Sequence, residues 1–319
     1  MTAGRKPIYV ETVIRTDMDR LWLHTQHPEL HRQWDVRFTD IHYHPRQKED
    51  GTQTFTYRTQ IGFGLRISGT GETRTKISAI RNERLSTLSF GSEQPQSLIS
   101  RGAGYWKYTR LHEFDEEGEP PTIRFATRYD YRTRFGWAGL LFDRWLFRPV
   151  FGYATAWSFD LLRIWLEAGI PPRILIRQAV VHYACAAALA GLWIGQGLLP
   201  KLLFPGTGEL AVMQAAGWIP GGWGPALLAL LGILEIAVGT VSPFLHRSRV
   251  YYRLQALLLL LLAVSGAAGN PALLASPYNP AALAAAMIVL CGAAHVTSRE
   301  LPQAGRCRRK PGARGGGRA

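Results

Sequence analysis

Side chains that could bind or transform a small molecule recur in alternating segments of the first half of the chain. They are Tyr57, Trp106, Tyr108, Arg128 and Tyr129. In an apolar enclosure, tyrosine and arginine can bind a carboxylate or carbonyl group, and tyrosine can act as the acid in a cyclisation. The alternative is a purely structural role, because strands favour aromatic residues and half of the arginines on a strand should face water. The residues alone leave both interpretations open.

A second group of ionisable residues lies in the apolar second half of the chain. Glu235 is in the middle of "LLGILEIAVG", where an ionised carboxylate at mid-bilayer would cost about 3 kcal/mol. We therefore expect it to face other helices and to find a partner, with His182, Gln196 and His295 as candidates. Two roles remain open: a polar site for a proton or a quinone-like head group, or a neutral glutamic acid that hydrogen-bonds between packed helices.

Lys201 follows Pro200 inside the apolar run "LWIGQGLLPKLLFPGTGEL". A buried helix would not tolerate this pair, because proline removes a backbone hydrogen bond and a buried lysine needs a partner. At the end of a membrane span, the lysine stem can stay in the apolar layer while its amine reaches water. We expect this boundary position, and Lys201 can pair with Glu235 only if the first span is tilted or ends deeper in the bilayer.

These two groups of residues lie in two different kinds of sequence. The first half is charged like a water-soluble domain, and the second half is apolar like a membrane domain. The 319 residues carry a net charge of +14, yet the stretch 179–298 has only Lys201, Glu209, Glu235, Arg247, Arg249 and Arg253 as charged residues. Four segments there approach the ~20 apolar residues that cross a bilayer. They are 179–199, 223–245, 254–275 and 280–298.

The basic residues predict the topology of these spans in the cell membrane. Arg247, Arg249 and Arg253 lie between spans two and three, and the tail "RCRRKPGARGGGRA" is also basic. By the positive-inside rule both are cytoplasmic, together with the N-terminal domain, and the loop 200–222 is external. A low-complexity basic tail is expected to be disordered and attracted to anionic lipid headgroups. Membrane lipid explains the positive charge without a nucleic-acid partner.

Apolar and polar residues alternate along segments of the first half, as they do in the strands of an antiparallel sheet. "PIYVETVIR" begins it, two short helices follow, and period-two patterns recur at about 37–45, 52–61, 65–79, 84–90, 103–114 and 122–133. A long helix comes last, because Val150, Ala154, Trp157, Leu161 and Ile164 recur at spacings of three and four. These patterns predict seven strands, two short helices and one long helix.

This half resembles the SRPBCC superfamily of START-like, helix-grip domains. The resemblance is carried by "VIRTDMDRLWLHTQHPELHRQWD" and "LFDRWLFRPVFGYATAWSFDLLRIWLE". It implies an α+β helix-grip fold, with a seven-stranded antiparallel sheet around a long C-terminal helix and a hydrophobic cavity between them. The ligand-binding residues expected there are Tyr57, Trp106, Tyr108, Arg128, Tyr129 and Trp157; no catalytic residue can be assigned, because catalysis is optional in this superfamily.

The second half resembles the DoxX-like family of four-span bacterial membrane proteins. The resemblance is carried by "GLLPKLLFPGTGELAVMQAAGW", "LEIAVG" and "YNPAALAAAMIVL". It implies an all-α four-helix transmembrane bundle. Distant relatives are associated with membrane redox systems, so a redox partner protein is one expectation.

Resident cofactors are not predicted. His27 and His31 have helical spacing, but "HPELH" lacks the HExxH pattern, so we expect no metal site. Cys185, Cys291 and Cys307 form neither a disulfide framework nor a CxxC pair. "GFGLRISG" lies between strands, with no helix N-terminus to hold a phosphate, so no nucleotide cofactor is expected.

The sequence therefore predicts three regions: a ligand-binding domain at 1–172, a four-span membrane domain at 173–298 and a basic disordered tail at 299–319. The leading hypothesis is a membrane-anchored binding protein for a lipid, fatty acyl chain or quinone. The prolines of "AGIPPRILIR" support it, because a short stiff connection keeps the cavity close to the bilayer. The alternatives are an enzyme, either a membrane oxidoreductase component or a cyclase-like domain acting on a lipid-derived substrate, and a structural adaptor.

The predicted orientation can be tested by thiol labelling in intact cells. Thr207→Cys should react with a membrane-impermeant thiol reagent and Ser248→Cys should not, because the positive-inside rule places them on opposite sides. After the cells are opened, both should react. Equal labelling of the two positions in intact cells would contradict the four-span topology.

Overall fold

An antiparallel sheet of seven strands is built from the alternating segments of the first half. Its strands run in the spatial order β1-β7-β6-β5-β4-β3-β2. They are β1 (Ile8–Arg15), β2 (Asp40–Tyr43), β3 (Gln53–Ile61), β4 (Leu65–Ser78), β5 (Glu83–Gly91), β6 (Ile99–Arg110) and β7 (Thr122–Thr133). The computed structural model describes residues 6–45, 52–61, 64–78, 82–111, 121–215, 222–275 and 279–311.

Helices cover one face of this sheet. Two short ones, α1 (Met18–Gln26) and α2 (Pro28–Trp34), connect the two edge strands, β1 and β2. After β7 come α3 (Gly136–Phe142), a π-helical turn at Asp143–Phe147, and α4 (Arg148–Ala168). Pro149 lacks a backbone N–H, which is consistent with the irregular turn just before it. The helix-grip fold expected from the sequence is confirmed.

The core of this unit lies between α4 and the β1, β6 and β7 side of the sheet. The rings of Phe125 and Phe159 stack with centroids 4.4 Å apart, and Trp34 meets Phe159 edge-on at 6.0 Å. All three side chains are fully buried. Each buried aromatic ring removes a large apolar area from water, so this cluster fixes α2 and α4 on the sheet.

The beginning of the C-terminal tail is ordered, contrary to the sequence-based expectation of disorder from residue 299. Residues 302–311 belong to the same compact unit as the sheet. Arg308 pairs with Glu11 of β1 through two backbone hydrogen bonds of 2.9 and 2.8 Å, and Ala304 and Cys307 are buried in the core. The expectation was wrong here because two small apolar side chains and a free strand edge outweigh the basic composition.

The second compact unit, 176–301, contains helices long and apolar enough to cross a membrane. The candidate spans are Pro172–Leu203, Gly224–Leu245, Arg249–Gly269 and Pro280–Thr297. They correspond to α5 (Pro172–Gly197) with a π-helical turn at Leu198–Leu203, then α7 (Gly224–Leu245), α8 (Arg249–Gly269) and α9 (Pro280–Thr297). A short helix, α6 (Glu209–Ala215), precedes the second span. The prediction of four membrane-span-capable helices is confirmed.

The docked tail predicts an unreactive thiol at Cys307. Burial raises the pKa of Cys307 to about 12, and its Sγ donates a hydrogen bond to the carbonyl of Ala156 at 3.2 Å. At pH 8 the thiol is therefore protonated and covered, so a maleimide should not modify it in the native, detergent-solubilised chain but should do so after denaturation. Gly305→Cys is the matched control, because residue 305 is exposed and should react at once. Rapid native labelling of Cys307 would mean that the tail is not docked.

Candidate functional site

A cavity of about 780 Å³ lies inside the helix-grip unit, between the sheet and the helical segment that follows β7. This volume lies in the range of small-molecule pockets. Most of its lining side chains are apolar, among them Ile41, Phe55, Tyr57, Ile67, Leu88, Phe90, Trp106, Tyr129, Phe142, Leu146, Phe147, Val150 and Phe151. An apolar lining of this kind favours a lipophilic occupant.

Arg37 places a charged group on the cavity wall. Its guanidinium forms a bidentate pair with Asp35, with Nε to Oδ1 at 2.7 Å and Nη2 to Oδ2 at 2.5 Å. Nη1 donates to Thr155 Oγ1 of α4 at 3.2 Å. Arg37 is only 9% exposed and Asp35 is fully buried, so each charge is neutralised by the other.

His31 extends this ion pair along the wall. It lines the cavity, and its Nε2 lies 3.1 Å from Asp35 Oδ2. Its Nδ1 has no hydrogen-bond partner among the described residues, although the side chain is buried. A buried polar atom without a partner costs free energy.

The charge state of the pair follows from its surroundings. Burial by itself raises the pKa of Asp35, but the guanidinium of Arg37 and the hydrogen bond from His31 outweigh burial and hold that pKa well below its usual range. Burial opposes the charge of Arg37, yet the Asp35 carboxylate keeps its pKa above the ordinary value. The pair is thus ionic and has no net charge near neutral pH.

Three of the sequence-predicted residues line the cavity together: Tyr57, Trp106 and Tyr129. Tyr129 exchanges a 2.7 Å hydrogen bond with Thr155, and Tyr57 donates to the carbonyl of Gly91 at 3.2 Å. Burial raises the pKa of Tyr57 to about 12 and also raises that of Tyr129. Both phenols therefore remain protonated at neutral pH and act here as hydrogen-bonding groups.

The other three predicted ligand residues do not reach the cavity. Arg128 is exposed, because it lies between Thr127 and Tyr129 and alternation turns it to the opposite face of β7. Tyr108 does face inward, but there α1 fills the space: its hydroxyl meets Thr25 Oγ1 at 2.7 Å and its ring stacks on Phe125.

Trp157 packs against the core beside Phe159 instead of lining the cavity. Along α4 the lining residues end at Ala154, since the Phe125–Phe159 stack fills the interior beyond it. Sequence reasoning also missed Arg37 and Asp35. The signal available was "WDVRF", an acid and a base two residues apart between large aromatic side chains.

A second polar cluster lies in the membrane unit around Lys201. Its side chain is 3% exposed, with Nζ 2.8 Å from Glu209 Oε1, 2.9 Å from Glu235 Oε2 and 3.2 Å from the carbonyl of Gln196. The expectation that Lys201 extends to water at the boundary is therefore wrong. The lysine lies in the π-helical turn at Leu198–Leu203 and contacts Glu209 at the start of α6 and Glu235 of α7.

Close helix packing makes this ion cluster possible. A Cβ on Gly232 would lie 2.8 Å from both the carbonyl oxygen of Gly197 and the Cβ of Lys201. Any larger residue at 232 would push the first span away from α7. Small residues at such contacts let membrane helices approach closely.

His182 and His295, the other residues expected in a membrane polar site, lie elsewhere in the unit. His182 Nε2 is 3.1 Å from His246 Nδ1, and its Nδ1 is 3.1 Å from the carbonyl of Ala294. His295 Nδ1 is 3.2 Å from the carbonyl of Arg249. The structure thus brings Lys201 and Glu235 together but not the two histidines.

The fold and these sites define a class of protein: a helix-grip domain joined in one chain to a set of membrane-span-capable helices. Residues 190–292 match the model of the DoxX-like family. The chain is 43% identical over 210 residues to the uncharacterized membrane protein YndG of Bacillus subtilis (strain 168), which covers 65% of this chain and 75% of that protein. The chain belongs to the family of this bacterial membrane protein, and its membrane half is a DoxX-like domain.

Solved structures similar to this chain match about half of it. The Zhui aromatase/cyclase from a Streptomyces species is 10% identical, covers 51% of this chain and 97% of its own, and has a TM-score of 0.35. A Thermus thermophilus protein is 14% identical, with coverages of 50% and 94% and a TM-score of 0.35. With scores below 0.5, the fold assignment depends on the strand order and helix placement described above.

The membrane ion cluster predicts a specific pattern of stability changes. Lys201→Met should lower the free energy of unfolding by about 3 kcal/mol, because it leaves Glu235 buried without its counter-ion. Lys201→Met combined with Glu235→Gln should recover most of this loss, since the buried carboxylate is then neutral. Thermal unfolding of the detergent-solubilised chain measures both. A Lys201→Met midpoint equal to that of the wild type would show that the cluster does not stabilise the fold.

Proposed function

We propose that this protein binds a lipophilic small molecule in the helix-grip cavity of a membrane-anchored chain. The observation that carries the proposal is the cavity of about 780 Å³ with its largely apolar lining. An apolar cavity of that size is unfavourable without a ligand. If it is empty, its walls lack dispersion contacts, and if water fills it, its apolar walls are hydrated. A lipid, a fatty acyl derivative or a quinone supplies both. With the Arg-rich loop and the helix-grip domain on the cytoplasmic side, the ligand is held on that side of the membrane.

The polar end of the ligand is uncharged in this proposal. Arg37 is already neutralised by Asp35 in a bidentate pair, so the described cavity wall offers no excess positive charge to a carboxylate. A carboxylate would be desolvated without a counter-ion, which is costly. A hydroxyl or carbonyl oxygen can instead accept a hydrogen bond from an Arg37 N–H group that Asp35 and Thr155 leave unused.

Binding can be measured on the full chain in detergent. A pyrene-bearing long-chain alcohol should bind with a saturable change in fluorescence. Unlabelled alcohols and hydrophobic quinones should displace it at least about tenfold better than a fatty acid of equal chain length at pH 8, where the acid is ionised. Mass spectrometry of lipids that co-purify with the chain identifies the natural class.

The matched variants are Ala154→Trp and Tyr153→Trp. Ala154 lines the cavity, so the larger ring should occupy the space and abolish saturable binding, whereas Tyr153 is exposed on the same helix and its replacement should leave binding unchanged. Equal binding by both variants, or no binding of any lipophile by the folded wild type, would refute the proposed function.

A further inference from the structure

The helical segment that follows β7 exposes large apolar side chains to an unusual extent. Trp137 is 79% exposed and Trp145 74%, with Leu141 at 52% between them. These three residues are four positions apart, so they lie on one face of the helix. We call this face the lid surface. Soluble surfaces rarely leave two neighbouring tryptophans uncovered, which marks the lid surface as a contact site.

An adjoining side of the same segment forms a wall of the cavity. Ala138, Gly139 and Phe147 line it, together with Phe142, Leu146 and Val150. The last three are also 49%, 53% and 55% exposed. Apolar side chains that both line the cavity and remain exposed connect the interior with the lid surface. A lipophile that passes between them stays in contact with apolar side chains.

Polar contacts hold the lid segment in place from behind. Asp143 in the π-helical turn is 1% exposed and accepts a 2.6 Å hydrogen bond from the hydroxyl of Tyr131 on β7. Arg148 Nε donates to the same carboxylate at 3.0 Å. The backbone of the segment also packs closely on the end of β7, since a Cβ on Gly139 would collide with the carbonyl of Arg134. The apolar exposure therefore belongs to a firmly anchored helix.

The charges of the segment favour a lipid surface as its partner. Asp143 is the one acidic residue between 134 and 153, all of which the structure describes, and it is buried. Arg144 is exposed, with its guanidinium 6.0 Å from the ring centre of Trp145. Tryptophan and arginine together suit the headgroup layer, where the ring meets the acyl boundary and the cation meets phosphate.

The domain is tethered to any bilayer that the first membrane-span-capable helix crosses, because only Gly169–Pro171 separate that helix from α4. We propose that the lid surface inserts into the headgroup layer of that bilayer, and that the ligand enters the cavity from the membrane past Phe142 and Leu146. The entry route rests on the proposed ligand-binding function. The insertion of the lid surface does not.

Insertion is tested with spin labels on the full chain in nanodiscs that contain anionic lipid. Nitroxides at Trp137→Cys and Trp145→Cys should be reached by oxygen more readily than by a water-soluble nickel chelate. The control, Arg128→Cys on the outer face of the sheet, should show the reverse. The three native cysteines are buried, so the wild-type chain treated with the same spin label measures the background signal. Labels at 137 and 145 that respond like the label at 128 would overturn the proposal, as would spin–spin broadening that disappears on dilution with unlabelled chain, which indicates a second copy on this face.

Ligand entry is tested with the double variant Trp137→Ser/Trp145→Ser. Neither tryptophan lines the cavity, so equilibrium binding of the pyrene-bearing alcohol in detergent should be unchanged. Loading of the same probe from the nanodisc bilayer should be at least about tenfold slower, because the inserted face is lost. Unchanged loading with inserted labels would overturn the entry route alone. Absence of probe binding by the wild type would refute the proposed function and the entry route, while the spin-label result still decides insertion.

Discussion

The bidentate pair of Asp35 and Arg37 is the interaction on which the organisation of the cavity depends. Arg37 reaches Thr155 of α4 with its side chain, and its carbonyl accepts a 2.9 Å hydrogen bond from Thr59 of β3. Arg37 thus ties the α2–β2 connection to α4 and to β3, the strand next to the β2 edge of the sheet. Because two buried opposite charges are so costly to separate, these three elements stay fixed around a space that apolar packing alone would tend to close.

The same rule of paired buried charges governs the membrane unit. Lys201, Glu209 and Glu235 come from three separate helical segments and meet in one cluster. Because hydrocarbon has no water to solvate a charge, an unpaired lysine or carboxylate in this cluster would cost more free energy than one in the helix-grip unit. Each half of the chain therefore contains a buried ion pair that holds its segments together. In the first half the pair lies beside an apolar cavity, and in the second half it lies between apolar helices.

Periodicity in the sequence was sufficient to predict the sheet, the long helix and the four apolar helices, because each of these depends on local patterns. It offered Tyr57, Trp106 and Tyr129 as ligand-binding candidates without deciding which strand face lines the cavity, and the structure places these three on the cavity wall. It could not show where the interior is already filled, which is why Tyr108 and Trp157 were assigned to the cavity although Phe125 and Phe159 occupy that end. The inward turn of Lys201 was equally hidden, since it depends on a π-helical turn and on the contact at Gly232.

The pairing of Arg308 with Glu11 has a consequence for how the protein is made. β1 is an edge strand, and among the described residues its outer edge is covered where the tail docks on it. That tail follows the membrane domain in the sequence, so a growing chain presents the sheet with an open edge until all the apolar helices have been synthesised. An open strand edge invites pairing with other chains. The sheet is thus translated before the membrane half but completed after it, and a chain truncated within the membrane half carries a sheet whose edge is still available for aggregation.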